Sequence, residues 1–523
     1  MTDFVEHDDY GESASSHTVS ARKIITGLRA ADFRKLAAAK EITTDYTAAA
    51  YTHRVTEVVD GVVCATTEQP FTPEQTQCID DAYRSLASRT LLQVDLRVGR
   101  GSAARHARLY LPAHHADLAY LAARSFDQIE AGKADHGTPD STTIVLPEWS
   151  AMPVDDQDRC VLVNSDEATT YILGSDFYGE IRDAILRMDL LGARRDGRLG
   201  LVGATKDVWA RSYATGDIVQ RGLLFIGPAV TGKTALVCHE HDLDTGGGEK
   251  IRPLADGVVV LDAGGAVRGT EGRGWMLRTV ALNPEDEPSL FDACSTHDAV
   301  LENVWMGCDR TVDYYDTTLT DNGRAVVPIA RLLHADGEID LAQCHHVFFL
   351  TRNPVMPPVV KLTPAQAAAF YVLGESLPMR ADDSDADEPL ERRVGASDLP
   401  VGPRDGEGNL LYDWLTKNEG ITAYVLNTGG VGHGDDAHEV KLEDTAIIIR
   451  EICRDGVQWQ RHDERDFEVP MTVPGVDLEP LRVENRFDAE NLEQRLAALK
   501  EERERWLEQF TDIHDEIRSA AFA

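Results

Sequence analysis

Lysine is scarce in this sequence. Of its 523 residues, 52 are basic, and only 11 of those are lysine. Acidic residues number 89, so the formal net charge is -37. No basic stripe is available to neutralise a phosphodiester backbone, which argues against nucleic acid as a partner. The acids are spread along the chain rather than gathered in one tail. Such a surface stays hydrated in concentrated salt, which also screens its self-repulsion. The composition therefore predicts a protein of a salt-rich cytoplasm. No apolar run approaches the ~20 residues that cross a bilayer, so no membrane partner is expected. The opening stretch, "MTDFVEHDDYGESASSHTVS", lacks the basic and apolar regions of a secretory signal. None of the eight cysteines forms a C-x-x-C pair. They read as scattered thiols of a reducing compartment, not as a zinc site or disulfide frame.

What is present is a long chain, 42% hydrophobic, with room for more than one core. Residues 1–20 read as an acidic flexible tail. Residues 21–200 read as an N-terminal α/β lobe. There "PEQTQCIDDAYRSLA" and "ADLAYLAARSF" have helical spacing, and "RTLLQVDLRV", "TTIVLPEW" and "RCVLVNS" read as strands. Residues 201–523 form the second lobe, with "GLLFIG", "GVVVLD", "HHVFFLT" and "AYVLNTG" as buried strands. The stretch "ADDSDADEPLERR", 381–393, is a charged loop. The terminal "AENLEQRLAALKEERERWLEQF" is an amphipathic helix, expected to lie back on the body. The fold class is α/β with two lobes.

"GPAVTGKTAL", residues 227–236, follows a strand and fits G-x-x-x-x-G-K-[ST]. Glycines at 227 and 232 let successive N–H groups turn toward phosphate oxygens. Gly227, Thr231, Gly232, Lys233 and Thr234 are the expected nucleotide-binding set. Lys233 reaches the β- and γ-phosphates, and Thr234 offers its hydroxyl to Mg²⁺. Pro228 contributes no N–H, and Val230 is β-branched and resists positive φ, so this loop is stiffer than most.

Several longer stretches then carry a resemblance. "VLENVW", "TLTDNGRAVVPI", "VFFLTRNPVMPPVVKLTPAQAAAFYVLG" and "VGPRDGEGNLLYDWLTKNEGITAYVLNTGG" run in the order and spacing of the ATP-dependent phosphoenolpyruvate carboxykinase family. The upstream "LQVDLRVGRGSAARHARLYLPAHHADLAYLAARSF" is similar to its N-terminal lobe, and the similarity extends from about residue 40 to 510. The resemblance implies a two-lobed α/β fold with a P-loop C-terminal lobe and an active site in the cleft between the lobes. It implies conversion of oxaloacetate and ATP into phosphoenolpyruvate, CO₂ and ADP, a gluconeogenic reaction. By position, Arg54 stands for the carboxylate-binding arginine and Tyr178 for the tyrosine of the substrate segment. Arg324 stands near the transferring phosphate, and Arg278 where a phosphate-contacting lysine is expected.

The resemblance breaks at the metal. The family's lysine ligand aligns with Asp183, after Arg182, and its histidine ligand with Val202. Its paired aspartates align with Gly257 and Val258, leaving Asp256 one residue early. The adenine-side arginine appears as Glu439. A family-type Mn²⁺ site is therefore not expected. Asp183, Asp256 and Asp262 are carboxylates suited to Mg²⁺ instead, with Thr234, Asp256 and Asp183 the expected metal set; His239 and His241, after the loop, could substitute as ligands but read rather as surface or core histidines. Three readings follow: a carboxykinase using ATP and Mg²⁺ on a small carboxylate, an altered nucleotide-binding protein, or a kinase for another small carboxylate. The expected assembly is a monomer or weak oligomer.

Overall fold

The helix over Pro73–Ala87 starts where its sequence instructs it to. Thr72 accepts the backbone N–H of Gln75, the Gln75 side chain returns to Thr72, and proline occupies the first turn. The same device at Thr363 and Gln366 opens the helix Pro364–Leu373. The computed structural model describes residues 18–54, 61–129, 137–149, 159–229, 231–377, 390–432, 437–462 and 465–521. Most of the expected N-terminal tail, Val230 and most of the 381–393 loop lie outside them.

Among the described residues, three large sheets organise an α/β chain. An eight-stranded sheet takes its strands from the first third of the chain. Its path runs Lys23–Ile25, Thr90–Val98, Arg105–Pro112, Ser141–Leu146, Thr169–Leu173, Cys160–Asn164, Val63–Ala65, with Asp127–Gln128 beside Thr90–Val98. A nine-stranded sheet begins at Gly200 in sequence and is mixed. Its centre is a parallel trio: Ile218–Ile226, His346–Thr351 and Thr422–Asn427. Phe225, Phe348 and Tyr424 are register neighbours across the trio and stack with ring centroids 5.3 and 5.2 Å apart. Separate apolar clusters cover the two faces of this sheet.

The third sheet joins the two halves of the chain. Its order is Gly274–Arg278, Arg324–Pro328, Val300–Glu302, Ala49–Tyr51, Ile42–Thr43. Ala49–Tyr51 runs parallel to Val300–Glu302, a pairing across some 250 residues that no local pattern announces. The helix Tyr178–Arg195 packs between the first sheet and the strands Gly200–Arg211 and Lys250–Leu261. The C-terminal helix Ala489–Leu507 lies back on the body, as expected. Its Arg503 is fully buried in an ion pair with Glu375, and Trp506 donates to the Val372 carbonyl.

Candidate active site

The phosphate loop leaves the C-terminal end of Ile218–Ile226, the central strand end where open α/β sheets place ligands. Gly227 sits against Leu350: a β-carbon there would lie 2.8 Å from that residue's Cβ. Gly232 has φ +90° and opens the short helix Lys233–Cys238. Its glycine is required by the left-handed conformation, since a β-carbon there would meet nothing. The Lys233 ammonium donates to the carbonyls of Gly227 (2.7 Å) and Pro228 (2.6 Å). Burial lowers its pKa to about 8, with Asp256 opposing the shift. Thr231 donates to the Pro228 carbonyl. The Asn427-Thr428-Gly429 turn after the strand Thr422–Asn427, two strands away, reaches across, Thr428 donating to the Thr231 carbonyl at 3.0 Å. Thr234 donates to Asp256 at 2.6 Å. A threonine at the start of the loop helix and a carboxylate on the strand Lys250–Leu261 are the oxygen donors that a nucleotide's Mg²⁺ requires, so these two residues fit that ion.

Register in the third sheet brings the cations together. Arg324 lies directly opposite Arg278 on one side and Glu302 on the other. Burial lowers the pKa of Arg324 to about 10, and Arg278 adds to the effect. Its Nε has no hydrogen-bond partner among the described residues, and neither does Glu302 Oε2. Arg278 is exposed and donates to the Asp321 carbonyl. Asp183 and Arg182 act electrostatically on Arg324 as well, and Arg182 also acts on Asp256. Arg182 thus links two groups of charges electrostatically: Lys233 and Asp256, with Thr234 bonded to the latter, and Asp183, Arg278 and Arg324.

Other residues required tertiary structure to be seen. His53 is fully buried, with Nδ1 2.6 Å from Glu302 and Nε2 2.9 Å from Asp117. Burial alone would depress its pKa, but the two carboxylates raise it to about 10. The imidazolium thus donates from both ring nitrogens. Glu302 also accepts the backbone N–H of Tyr178, fixing the start of the Tyr178–Arg195 helix. Nothing in the spacing of "THR", "LEN" and "FYG" announced this junction.

Some expectations are corrected. The Tyr178 hydroxyl is fully buried and donates to Ser125 at 2.7 Å, so it is not presented to a substrate. Asp262 lies just past the end of the strand Lys250–Leu261 that carries Asp256, beside Arg198 and Ala263, so it joins no shared metal site. His241 is buried behind the loop helix with its Nε2 on Lys206, and His239 receives the His241 N–H. Both are structural. Arg54 is exposed, its backbone N–H held by Asp176 next to the Tyr178 helix. Glu439 is exposed on the ribbon after the Asn427 turn.

The family's transition metal does not fit here. Gly257 has φ +125°, and a β-carbon on it would lie 2.3 Å from Arg182 Nη2 and 2.7 Å from Glu271 Oε2. Arg182 holds Glu271 through two hydrogen bonds of 2.8 and 2.5 Å. On the neighbouring strand Val202 pairs with Val258, and Gly203 with Gly257. The position offers an ion pair and apolar groups where three metal donors would be needed.

Comparison with known proteins agrees with this architecture. A family model described as phosphoenolpyruvate carboxykinase, the ATP-dependent type, matches residues 44–479. The chain belongs to the ATP-dependent phosphoenolpyruvate carboxykinase family. Among its relatives, the phosphoenolpyruvate carboxykinase (ATP) of Aeropyrum pernix is 33% identical over 359 residues, 67% of this chain and 68% of that protein. The protein of the same name from Thermus thermophilus is 26% identical over 457 residues, 82% of this chain and 80% of its own. That from Christiangramia forsetii is 24% identical over 377 residues, covering 69% of this chain and 66% of its own. Against most of these carboxykinases the match spans about two thirds of the relative's length. The eight cysteines are free, and among the described residues no helix is long and apolar enough to cross a membrane.

Proposed function

We propose that this chain converts oxaloacetate and ATP into phosphoenolpyruvate, CO₂ and ADP. The observation that carries the reading is the electrostatic link, through Arg182, between the phosphate-loop charges and the paired arginines of the third sheet. Loss of CO₂ breaks a C–C bond of oxaloacetate and leaves its electron pair on the enolate of pyruvate. The enolate oxygen then attacks the γ-phosphorus, and the bond from that phosphorus to the ADP oxygen breaks. Both events accumulate negative charge, which fixed cations stabilise. Lys233 and the N–H groups of Thr231 and Gly232 hold the phosphates. Arg324, with an unpartnered Nε, meets the transferring group from the opposite side, and Arg278 flanks it. Arg54, exposed beside the helix start, is placed to clamp a substrate carboxylate bidentately. Mg²⁺ held at Thr234 and Asp256 would supply charge neutralisation on the phosphates.

The same reading places the eight-stranded and nine-stranded sheets at the cores of two lobes that divide near residue 200, in a cytoplasmic, salt-adapted monomer or weak oligomer. The test is incubation with ATP, Mg²⁺ and oxaloacetate in molar KCl, following phosphoenolpyruvate by ³¹P NMR. Phosphoenolpyruvate formed in step with ADP supports the assignment. ATP binding without product would favour the second reading, an altered nucleotide-binding protein or a kinase for another small carboxylate. The observation that favours this second reading is the displaced metal position.

A further inference from the structure

The space emptied of metal donors has been filled by a specific device. Arg182 is bound bidentately by Glu271, the geometry that fixes a guanidinium plane best. The Arg182 side chain is 13% exposed and the Glu271 side chain 2%, so the pair is shielded from water. Gly257 is the one residue type that admits it: the left-handed φ and the missing β-carbon are both required. The third guanidinium nitrogen, Nη1, is left for the part-exposed Asp183 at 3.3 Å, so this edge of the cation faces the second charge group. Glu271 holds the guanidinium fully charged despite its burial. The charge is felt at Asp256 on one side and at Arg324 on the other.

We propose that Arg182, clamped by Glu271 and admitted by Gly257, replaces the second divalent cation of this cleft, so that the chain binds a divalent ion only together with its nucleotide. The Nη1 edge supplies N–H donors to an anionic oxygen of the bound carboxylate or phosphoryl group. A clamped guanidinium carries less net charge than a divalent ion. The burden of stabilising the enolate and phosphoryl charge therefore shifts toward Arg324 and Arg278. The catalytic half of this inference rests on the carboxykinase reading; the binding half does not.

The test is Mn²⁺ titration of the full chain in molar KCl, with free Mn²⁺ read by electron paramagnetic resonance, without nucleotide and with ADP. The expected result is no bound Mn²⁺ without nucleotide and one per chain with it. One Mn²⁺ per chain without nucleotide, lost in Asp183→Asn, would overturn the inference. Arg182→Gln and Arg182→Lys are then compared as kcat against KM for phosphoenolpyruvate formation. Their fold is checked by the thermal shift on adding ATP. A fall in kcat of about a hundredfold in Arg182→Gln, partly restored by Arg182→Lys, supports the role. Equal loss in both with unchanged ATP shift argues against a charge requirement and would overturn it. If wild-type protein forms no phosphoenolpyruvate yet binds Mn²⁺ only with ADP, the replacement stands and the carboxykinase reading falls.

Discussion

At the scale of the residue, Lys233 shows how a site can be prepared for its ligand. Its amine rests on two carbonyls of its own loop and is lowered to about pKa 8 by burial. A triphosphate favours the ammonium form. ATP binding above pH 8 should therefore take up a proton, seen by calorimetry as a heat that varies with the ionisation enthalpy of the buffer. Lys233→Met should lose that dependence along with most of the affinity. His53 titrates in the opposite sense. Its folded pKa is raised to about 10 from an ordinary 6.5. Its stabilising contribution is complete below pH 6.5 and is lost as pH rises through 10. Wild type should lose stability across that window in denaturant unfolding, and His53→Gln should show a flatter profile from a lower starting value. Gly257→Ala should cost about 3 kcal/mol, because the β-carbon pushes on a buried ion pair and the backbone is strained. Urea unfolding would measure this, and a cost under about 0.5 kcal/mol, the range of an unremarkable surface substitution, would contradict the packing described.

At the scale of the element, the strand Gly200–Arg211 and the C-terminal helix make contrasting cases. The strand carries Lys206 and Asp207 on its buried length. Alternation alone does not identify it, since two adjacent charges break the apolar pattern. Tertiary partners make it possible. Lys206 donates to the carbonyls of Leu236 and His239 at the end of the loop helix, and Asp207 takes Arg252 and Gln220. The C-terminal helix was legible from its spacing, but its seat was not. Arg503 reads as one more charge in "EERERW", yet it is fully buried on Glu375. Arg503→Ala leaves that buried carboxylate with only the more distant Arg392 at 3.7 Å and the Asn353 amide, and should cost about 3 kcal/mol. The loss should appear as early exchange of the 489–507 amides by hydrogen-exchange mass spectrometry. Replacing Arg503 and Glu375 together by Met and Leu should recover much of it.

At the scale of the whole molecule, charge sets the working conditions. A net charge of -37 on 523 residues repels itself at low ionic strength. The melting temperature should rise steeply with KCl up to molar concentration. Added sucrose, which strengthens burial without screening, should not substitute for it. A melting temperature independent of salt would remove the salt-adaptation reading. Charge is also apportioned inside. Arg182 holds Glu271 and Arg503 holds Glu375, whereas the buried Arg324 keeps an Nε without a hydrogen-bond partner among the described residues.

By itself, the sequence determined the local elements, the phosphate loop and the family. Each rests on short-range chemistry: periodicity, capping residues, and glycines where the backbone must turn. Pro73–Ala87 and Thr90–Val98 fall where their patterns placed them. The sequence also announced that metal donors were missing, because valine and glycine cannot coordinate an ion. What stands in their place was decided only by the tertiary structure. Arg182, Gly257 and Glu271 lie on separate elements, and no spacing rule links them. The same holds for His53 between Asp117 and Glu302, and for the Tyr178 hydroxyl turned inward to Ser125. A side chain's partner depends on where the chain returns, and in this protein the return that builds the site is the pairing of Ala49–Tyr51 with Val300–Glu302.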